Sequence, residues 1–203
     1  MDKKNVTTGR LEVVCGSMFS GKSEELIRRL KRSKIAQQNV VVFKHCFDTR
    51  TSIEHVVSHD GSKIKAFPIK DANELFALLP ADVEVVGIDE VQFFENSIVE
   101  VVLKLIDSGK RVVIAGLDMD FRGVPFGPIP ALMAFADDVE KLSAVCIKCG
   151  TDAHFSQRII NGAPAKFDDP VVMVGAEECY QARCRSCFAT SVNSVQKIKQ
   201  IAL

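Results

Sequence analysis

The sequence predicts an α/β protein, a parallel sheet flanked by helices, followed by a small cysteine-bearing unit. Three observations carry this reading. Short apolar runs rich in β-branched residues alternate with helical patterns over about the first 115 residues. A glycine-containing loop joins the first of these runs to the first helical pattern. Near the C-terminal end, two CxxC pairs replace the alternation.

Residues 11–15 (LEVVC) are mostly apolar and end at Gly16, which reads as a buried strand. A helix opens at Lys22, with Leu26, Ile27 and Leu30 on one side and basic residues between them. Residues 40–43 read as a second strand. The stretch 46–63 is polar, has weak periodicity and reads as a loop. Residues 71–79 predict a short helix capped by Asp71 and stopped by Pro80. A third strand follows at 83–88, then an amphipathic helix at 96–107 closed by Gly109, then a fourth strand at 111–115. The Gly and Pro pairs of 117–130 predict loop. Residues 146–187 hold five Cys and only short β-like runs, such as 171–174, and 194–203 is a polar tail.

Composition narrows the function classes. The 203 residues include 26 basic and 26 acidic ones, so the formal net charge is zero, and 47% are apolar. That apolar content supports a packed core and excludes wholesale disorder. Zero net charge argues against a surface that tracks a nucleic-acid polymer, but leaves room for a local basic pocket. No apolar run approaches the roughly 18 residues of a membrane span, and the polar first ten residues do not resemble a secretory signal. A cytoplasmic protein without membrane partners is therefore expected. There thiols stay reduced, and the odd count of seven Cys also argues against a complete disulfide framework.

Gly16, Ser17, Met18, Phe19, Ser20, Gly21, Lys22 and Ser23 fit the P-loop pattern GxxxxGK[ST]. The loop follows a predicted strand and opens a predicted helix, as the pattern requires. Its glycines let backbone N–H groups converge on phosphate oxygens, and the helix N-terminus adds positive charge. Lys22 would reach the terminal phosphates of ATP, and the Ser23 hydroxyl would ligate Mg²⁺. The third strand ends in Asp89 and Glu90. A carboxylate at such a strand end faces the metal–phosphate site, so Asp89 is expected on Mg²⁺. Glu90 is the candidate general base for the group that attacks the γ-phosphate. That group is water in an NTPase and a substrate hydroxyl in a kinase.

Cys146, Cys149, Cys184 and Cys187 form two CxxC pairs separated by 34 residues. Two such turns complete a tetrahedral thiolate site suited to Zn²⁺, and four protein ligands leave no open position, so the metal is expected to be structural. Cys15, on a predicted buried strand, reads as core packing. These readings divide the chain into a P-loop nucleotide-binding domain at 1–141, a zinc-binding unit with a lasso-like loop at 142–192 and a tail at 193–203.

Four segments together resemble the type II thymidine kinases, the cytosolic, zinc-containing family. They are GSMFSGKSEELIRRLKR, GIDEVQFF, AGLDMDFRGVPFGP, and the paired CxxC motifs with VVMVGAEECYQARC between them. The resemblance runs from about Arg10 to Phe188. It implies transfer of the ATP γ-phosphate to the 5′-hydroxyl of thymidine, with Glu90 accepting the hydroxyl proton. It places Lys22 on the phosphates, Ser23 and Asp89 on Mg²⁺, and Arg50 of the Asp48-Thr49-Arg50 segment on a phosphate. For the thymidine pocket it points to Met18, Phe93, Leu117, Phe121, Phe126, Ser156, Met173 and Tyr180. Aromatic faces and a small apolar recess suit a flat methylated pyrimidine. The same resemblance implies a zinc-tied loop closing over the base and a homotetramer. Val91 stands where the family most often has Ala, and Ser156 where many members have Thr; both changes are conservative.

Two other classes compete. A P-loop ATPase whose zinc unit docks on nucleic acid would need a basic, aromatic-interleaved Cys unit. Residues 146–187 instead balance Asp152, Asp168, Asp169, Glu177 and Glu178 against Lys148, Arg158, Lys166, Arg183 and Arg185. A non-catalytic zinc module leaves the P-loop pattern and the Asp89–Glu90 pair unexplained.

Overall fold

A computed structural model of the chain describes residues 8–47, 54–58, 61–171 and 179–189. Among these residues, six strands form one parallel sheet. Its first strand, β1 (Arg10–Gly16), leads through the P-loop into helix α1 (Lys22–Ile35). The chain then crosses to β2 (Val40–His45) and makes a short antiparallel hairpin of β3 (His55–Val57) and β4 (Lys63–Lys65). It rejoins the sheet at β5 (Phe67–Ile69). Helix α2 (Ala72–Leu78), β6 (Val85–Asp89), helix α3 (Ser97–Asp107) and β7 (Arg111–Gly116) follow. Helix α4 (Ile129–Phe135) leads to the last parallel strand, β8 (Asp138–Leu142).

The strand order is β5-β2-β6-β7-β1-β8. After β1 the chain runs to one side of the sheet, and it reaches the other side only with β8. The C-terminal ends of β1 and its neighbours therefore border the crevice where such sheets bind ligands.

Alternation along the strands explains the two cores. Leu11, Val13 and Cys15 of β1 enter one apolar cluster with Leu75, Ile98, Val102, Leu105 and Leu132, so α2, α3 and α4 cover that face. Val14 enters the opposite cluster with Leu26, Ile27 and Leu30 of α1 and with Val56 and Ile64 of the hairpin. Burial on both faces is why the central strands read as continuous apolar runs instead of alternating ones.

The expected strands and helices at 11–15, 40–43, 71–79, 83–88, 96–107 and 111–115 all have counterparts here, with ends shifted by one or two residues. Asp71 caps α2 through a full capping box: its carboxylate accepts from Asn73 N at 2.7 Å, and Glu74 reaches back to Asp71 N at 3.2 Å. Two expectations are corrected. The stretch 46–63 is not loop throughout, because β3 and the first residue of β4 fall inside it. The loop expected at 117–130 ends earlier, with Pro130 in the first turn of α4, where proline costs no intrahelical hydrogen bond. Within 171–174, Val171 lies outside any strand, and 172–174, like the tail at 194–203, lies outside the described residues.

The C-terminal unit is small. Strands β9 (Ala144–Val145) and β10 (Asp152–Ala153) pair, and β11 (Phe155–Ile160) pairs with both β12 (Ala163–Pro164) and β13 (Cys179–Arg183). Its core cluster is Ala144, Cys146, Ala153, Ala182 and Cys184, with Cys187 against it. So few small side chains bury too little apolar area to order the unit alone, which is where a metal contributes most.

Candidate active site and metal centre

The P-loop connects β1 to α1. Gly16 has φ 140°, and a Cβ there would lie 2.3 Å from the carbonyl oxygen of Leu142 at the end of β8, so both conformation and space call for glycine. Gly21, at the N-cap of α1, has φ 86°. Lys22 and Ser23 form the first turn of that helix. The Lys22 ammonium donates to the Ser17 carbonyl at 2.7 Å, and the Ser20 hydroxyl donates to the same oxygen at 2.8 Å. Phe19 is half exposed with φ 66°.

Asp89 ends β6, and Glu90 follows it. Ser23 Oγ donates to Asp89 Oδ2 at 3.3 Å, which joins the start of α1 to the end of β6. Asp89 Oδ1 accepts the Glu90 N–H at 3.0 Å. Both carboxylates are buried. Glu90 has φ 54°, a left-handed backbone uncommon for a residue with a Cβ. The next side chain inward, Gln92, was not singled out by the sequence; it bridges Glu90 to the backbone of Leu117.

Aromatic side chains flank the carboxylates. Phe93 and Phe126 meet edge-to-face with centroids 5.8 Å apart, and Phe47 meets Phe93 at 6.2 Å. His45 packs against Phe47, Phe93 and Phe94. Burial pushes the His45 imidazole below its ordinary range, although a backbone hydrogen bond at Lys70 and the charge of Glu90 pull the other way. The imidazole Nδ1 accepts the Phe47 N–H at 3.2 Å.

The C-terminal unit reaches this rim through β11. Ser156 Oγ accepts the Met18 N–H at 2.9 Å, and Ser17 Oγ donates to the Ala153 carbonyl at 3.0 Å. Arg158 is fully buried; its guanidinium lies 4.0 Å from the Phe121 ring centroid and donates to the Tyr180 hydroxyl at 3.0 Å. It also donates to the carbonyls of Pro170 and Val171. Met18 and Ser156 are thus brought together, as are Phe93 with Phe126 and, through Arg158, Phe121 with Tyr180. Arg50 and Met173 lie outside the described residues. In the sequence Arg158 counts only toward the charge balance of residues 146–187, because nothing local marks an arginine that will stack inside a core.

Cys146, Cys149, Cys184 and Cys187 bring their sulfurs within 4.8 Å of one another. A tetrahedral zinc with Zn–S bonds of about 2.3 Å needs sulfurs about 3.8 Å apart, so the cluster fits Zn²⁺. Each CxxC sits on a tight turn: Gly150 N donates to the Cys146 carbonyl, and Cys187 N to that of Cys184.

A loop of the P-loop pattern, a strand-end carboxylate pair and a four-cysteine cluster thus occupy one chain. The family model described as thymidine kinase matches residues 9–188. The chain belongs to the thymidine kinase family. Thymidine kinases are phosphotransferases that use ATP and thymidine. Among the described residues, no helix is long and apolar enough to cross a membrane.

Proposed function

We propose that the chain transfers the γ-phosphoryl group of ATP to the 5′-hydroxyl of thymidine, giving dTMP, and that it accepts deoxyuridine as well. This is a salvage reaction that supplies DNA precursors. The observation that carries the reading is the 3.3 Å approach of Ser23 Oγ to Asp89 Oδ2, which joins the phosphate loop to the carboxylate pair.

In this reading the N–H groups of 16–23 cradle the phosphates, and Lys22 exchanges the Ser17 carbonyl for phosphate oxygens. Arg50 adds a second positive group. Ser23 and Asp89 present the hard oxygen donors that Mg²⁺ prefers, and the ion would neutralise charge on the transferring group. Glu90 accepts the proton of the 5′-hydroxyl as that oxygen attacks phosphorus. Met18, Phe93, Leu117, Phe121, Phe126, Ser156, Met173 and Tyr180 enclose the nucleoside, and enclosure keeps water from competing as the nucleophile. The zinc, held by the four Cys, is structural. The proposed units are a nucleotide-binding domain at 1–141, a zinc unit at 142–192 and a tail at 193–203. A cytoplasmic homotetramer completes the reading by resemblance; light scattering on the purified protein measures the assembly.

The direct experiment is to incubate the protein with Mg·ATP and each nucleoside in turn. ADP should form only with thymidine or deoxyuridine, with the nucleoside monophosphate as product. ATP hydrolysis independent of nucleoside, or stimulated by DNA, would overturn the reading. Cys184→Ser should release the bound zinc, measured by metal analysis, and loosen the C-terminal unit, measured by hydrogen exchange. Full zinc content in that variant would refute the assignment of ligands.

A further inference from the structure

Gln92 is 2% exposed and lies in a short 3₁₀ turn at Val91–Phe93. Its Nε2 donates to Glu90 Oε2 at 2.5 Å, and its Oε1 accepts the Leu117 N–H at 3.0 Å. The second bond fixes the orientation of the carboxamide. A backbone N–H can only donate, so the oxygen must face Leu117 and the NH₂ group must face the carboxylate. The surroundings hold this arrangement. A Cβ on Gly116 would stand 2.7 Å from Gln92 Oε1, and one on Gly127 would stand 2.4 Å from the Gln92 carbonyl oxygen.

Such a bond bears directly on how the Glu90 carboxylate is aimed. Its backbone leaves the β conformation at φ 54°, so the pleat of β6 does not aim its side chain. The Glu90 N–H is held by Asp89 Oδ1, which steadies the main chain but not the carboxylate. Leu117, the other end of the bridge, begins the loop after β7 that carries Phe121 and Phe126.

We propose that Gln92 is a positioning residue: it aims the Glu90 carboxylate and ties that aim to the backbone of the loop on which the nucleoside rests. The proposal rests on the reading of Glu90 as the base. The carboxamide touches neither substrate nor phosphate in this role. It restricts the rotamers of a side chain with three rotatable bonds, so that more of the bound complexes are in reacting geometry. A residue that merely supported the loop would change thymidine affinity or stability instead.

The test is a double-mutant cycle on the full chain, with kcat, KM for thymidine at saturating Mg·ATP, and melting temperature read for each protein. Gln92→Met should lower kcat about tenfold and leave KM within about twofold. In a Glu90→Gln background the same change should lower kcat by less than about twofold, because nothing is left to aim. An equal loss in both backgrounds, or an unchanged kcat in Gln92→Met, would overturn the proposal. If Glu90→Gln alone keeps wild-type turnover, the base assignment itself is wrong, and the positioning role falls with it. Gly116→Ala provides a second route should Gln92→Met fold poorly. Its added methyl would stand 2.7 Å from Gln92 Oε1 and 2.8 Å from Ile129 Cδ1, so it crowds the carboxamide without removing it, and the same non-additivity with Glu90→Gln is expected; additivity there counts equally against the role.

Discussion

Buried charge collects at two places on this sheet. In the first half of β1, on the face covered by α1, Glu12 accepts from Arg29 at 2.8 Å and from Arg111 at 2.7 and 2.9 Å. Arg29 also donates to Glu25 at 2.7 Å, Asp138 at 2.8 Å and Glu140 at 2.5 Å. Every charge in this network is answered by another charge of the chain. At the C-terminal ends of the strands, Asp89 and Glu90 accept from neutral side chains, Ser23 at 3.3 Å and Gln92 at 2.5 Å. Asp118 forms an ion pair with Lys141 at 2.7 Å through Oδ2, yet its buried Oδ1 has no hydrogen-bond partner among the described residues. Charges that satisfy one another hold elements together, whereas a buried carboxylate oxygen such as Asp118 Oδ1 is disposed to meet a ligand.

The largest effect that would break this comparison is expected from Arg29→Met. Removing the cation leaves buried Glu12 with Arg111 and, at 3.5 Å, the more exposed Arg10, and should cost about 1–3 kcal/mol of stability, read from urea unfolding. Turnover per folded molecule should stay within about twofold. Glu90→Gln should do the reverse: kcat falls about 10²-fold or more, thymidine affinity is largely kept, and the melting temperature barely moves. A loss of turnover in the first variant, or of stability in the second, would show that the two regions are not separable.

Acid should act through the network next. Hydrogen bonds from Arg28 and Arg29 outweigh burial and hold the Glu25 carboxyl down at about 2. Glu12 is lowered too: burial raises it, but Arg111 and Arg29 together prevail. A depressed carboxyl contributes stability that is complete above its unfolded value of 4.5 and is lost as pH falls through its folded value. Stability should therefore decline between about pH 4.5 and 2, and Arg29→Met should flatten that decline; an unchanged slope would remove the network as its cause. The smallest effect is expected far from both regions. Asp71→Ala removes the cap of α2 and should cost about 1 kcal/mol with no change in turnover.

What could be read from the chain followed from local physics. Residues 16–23 carry a complete pattern because cradling a phosphate uses consecutive backbone groups. The helix at Ala72–Leu78 was legible through Asp71 and Glu74, since a cap is a local bond. Other elements gave no such signal. Strand β8 (DVEKL) carries three charged residues at a sheet edge, and its Asp138 and Glu140 make sense only opposite Arg29. Strand β5 is three residues long with Pro68 at its centre, which sequence rules demote and an edge position allows.

By itself the sequence determined the alternating α/β core, the phosphate loop, the carboxylate pair and the four-cysteine cluster, because each rests on neighbours in the chain or on repeated short spacing. Only the tertiary structure decided what Arg29, Gln92 and Arg158 do. Each is a polar side chain whose partners lie at distances in sequence that no periodicity connects: Arg29 with Glu140, Gln92 with Leu117, Arg158 with Phe121 and Tyr180. Burial makes those partners obligatory, and burial is a property of the packed sheet, not of the residue.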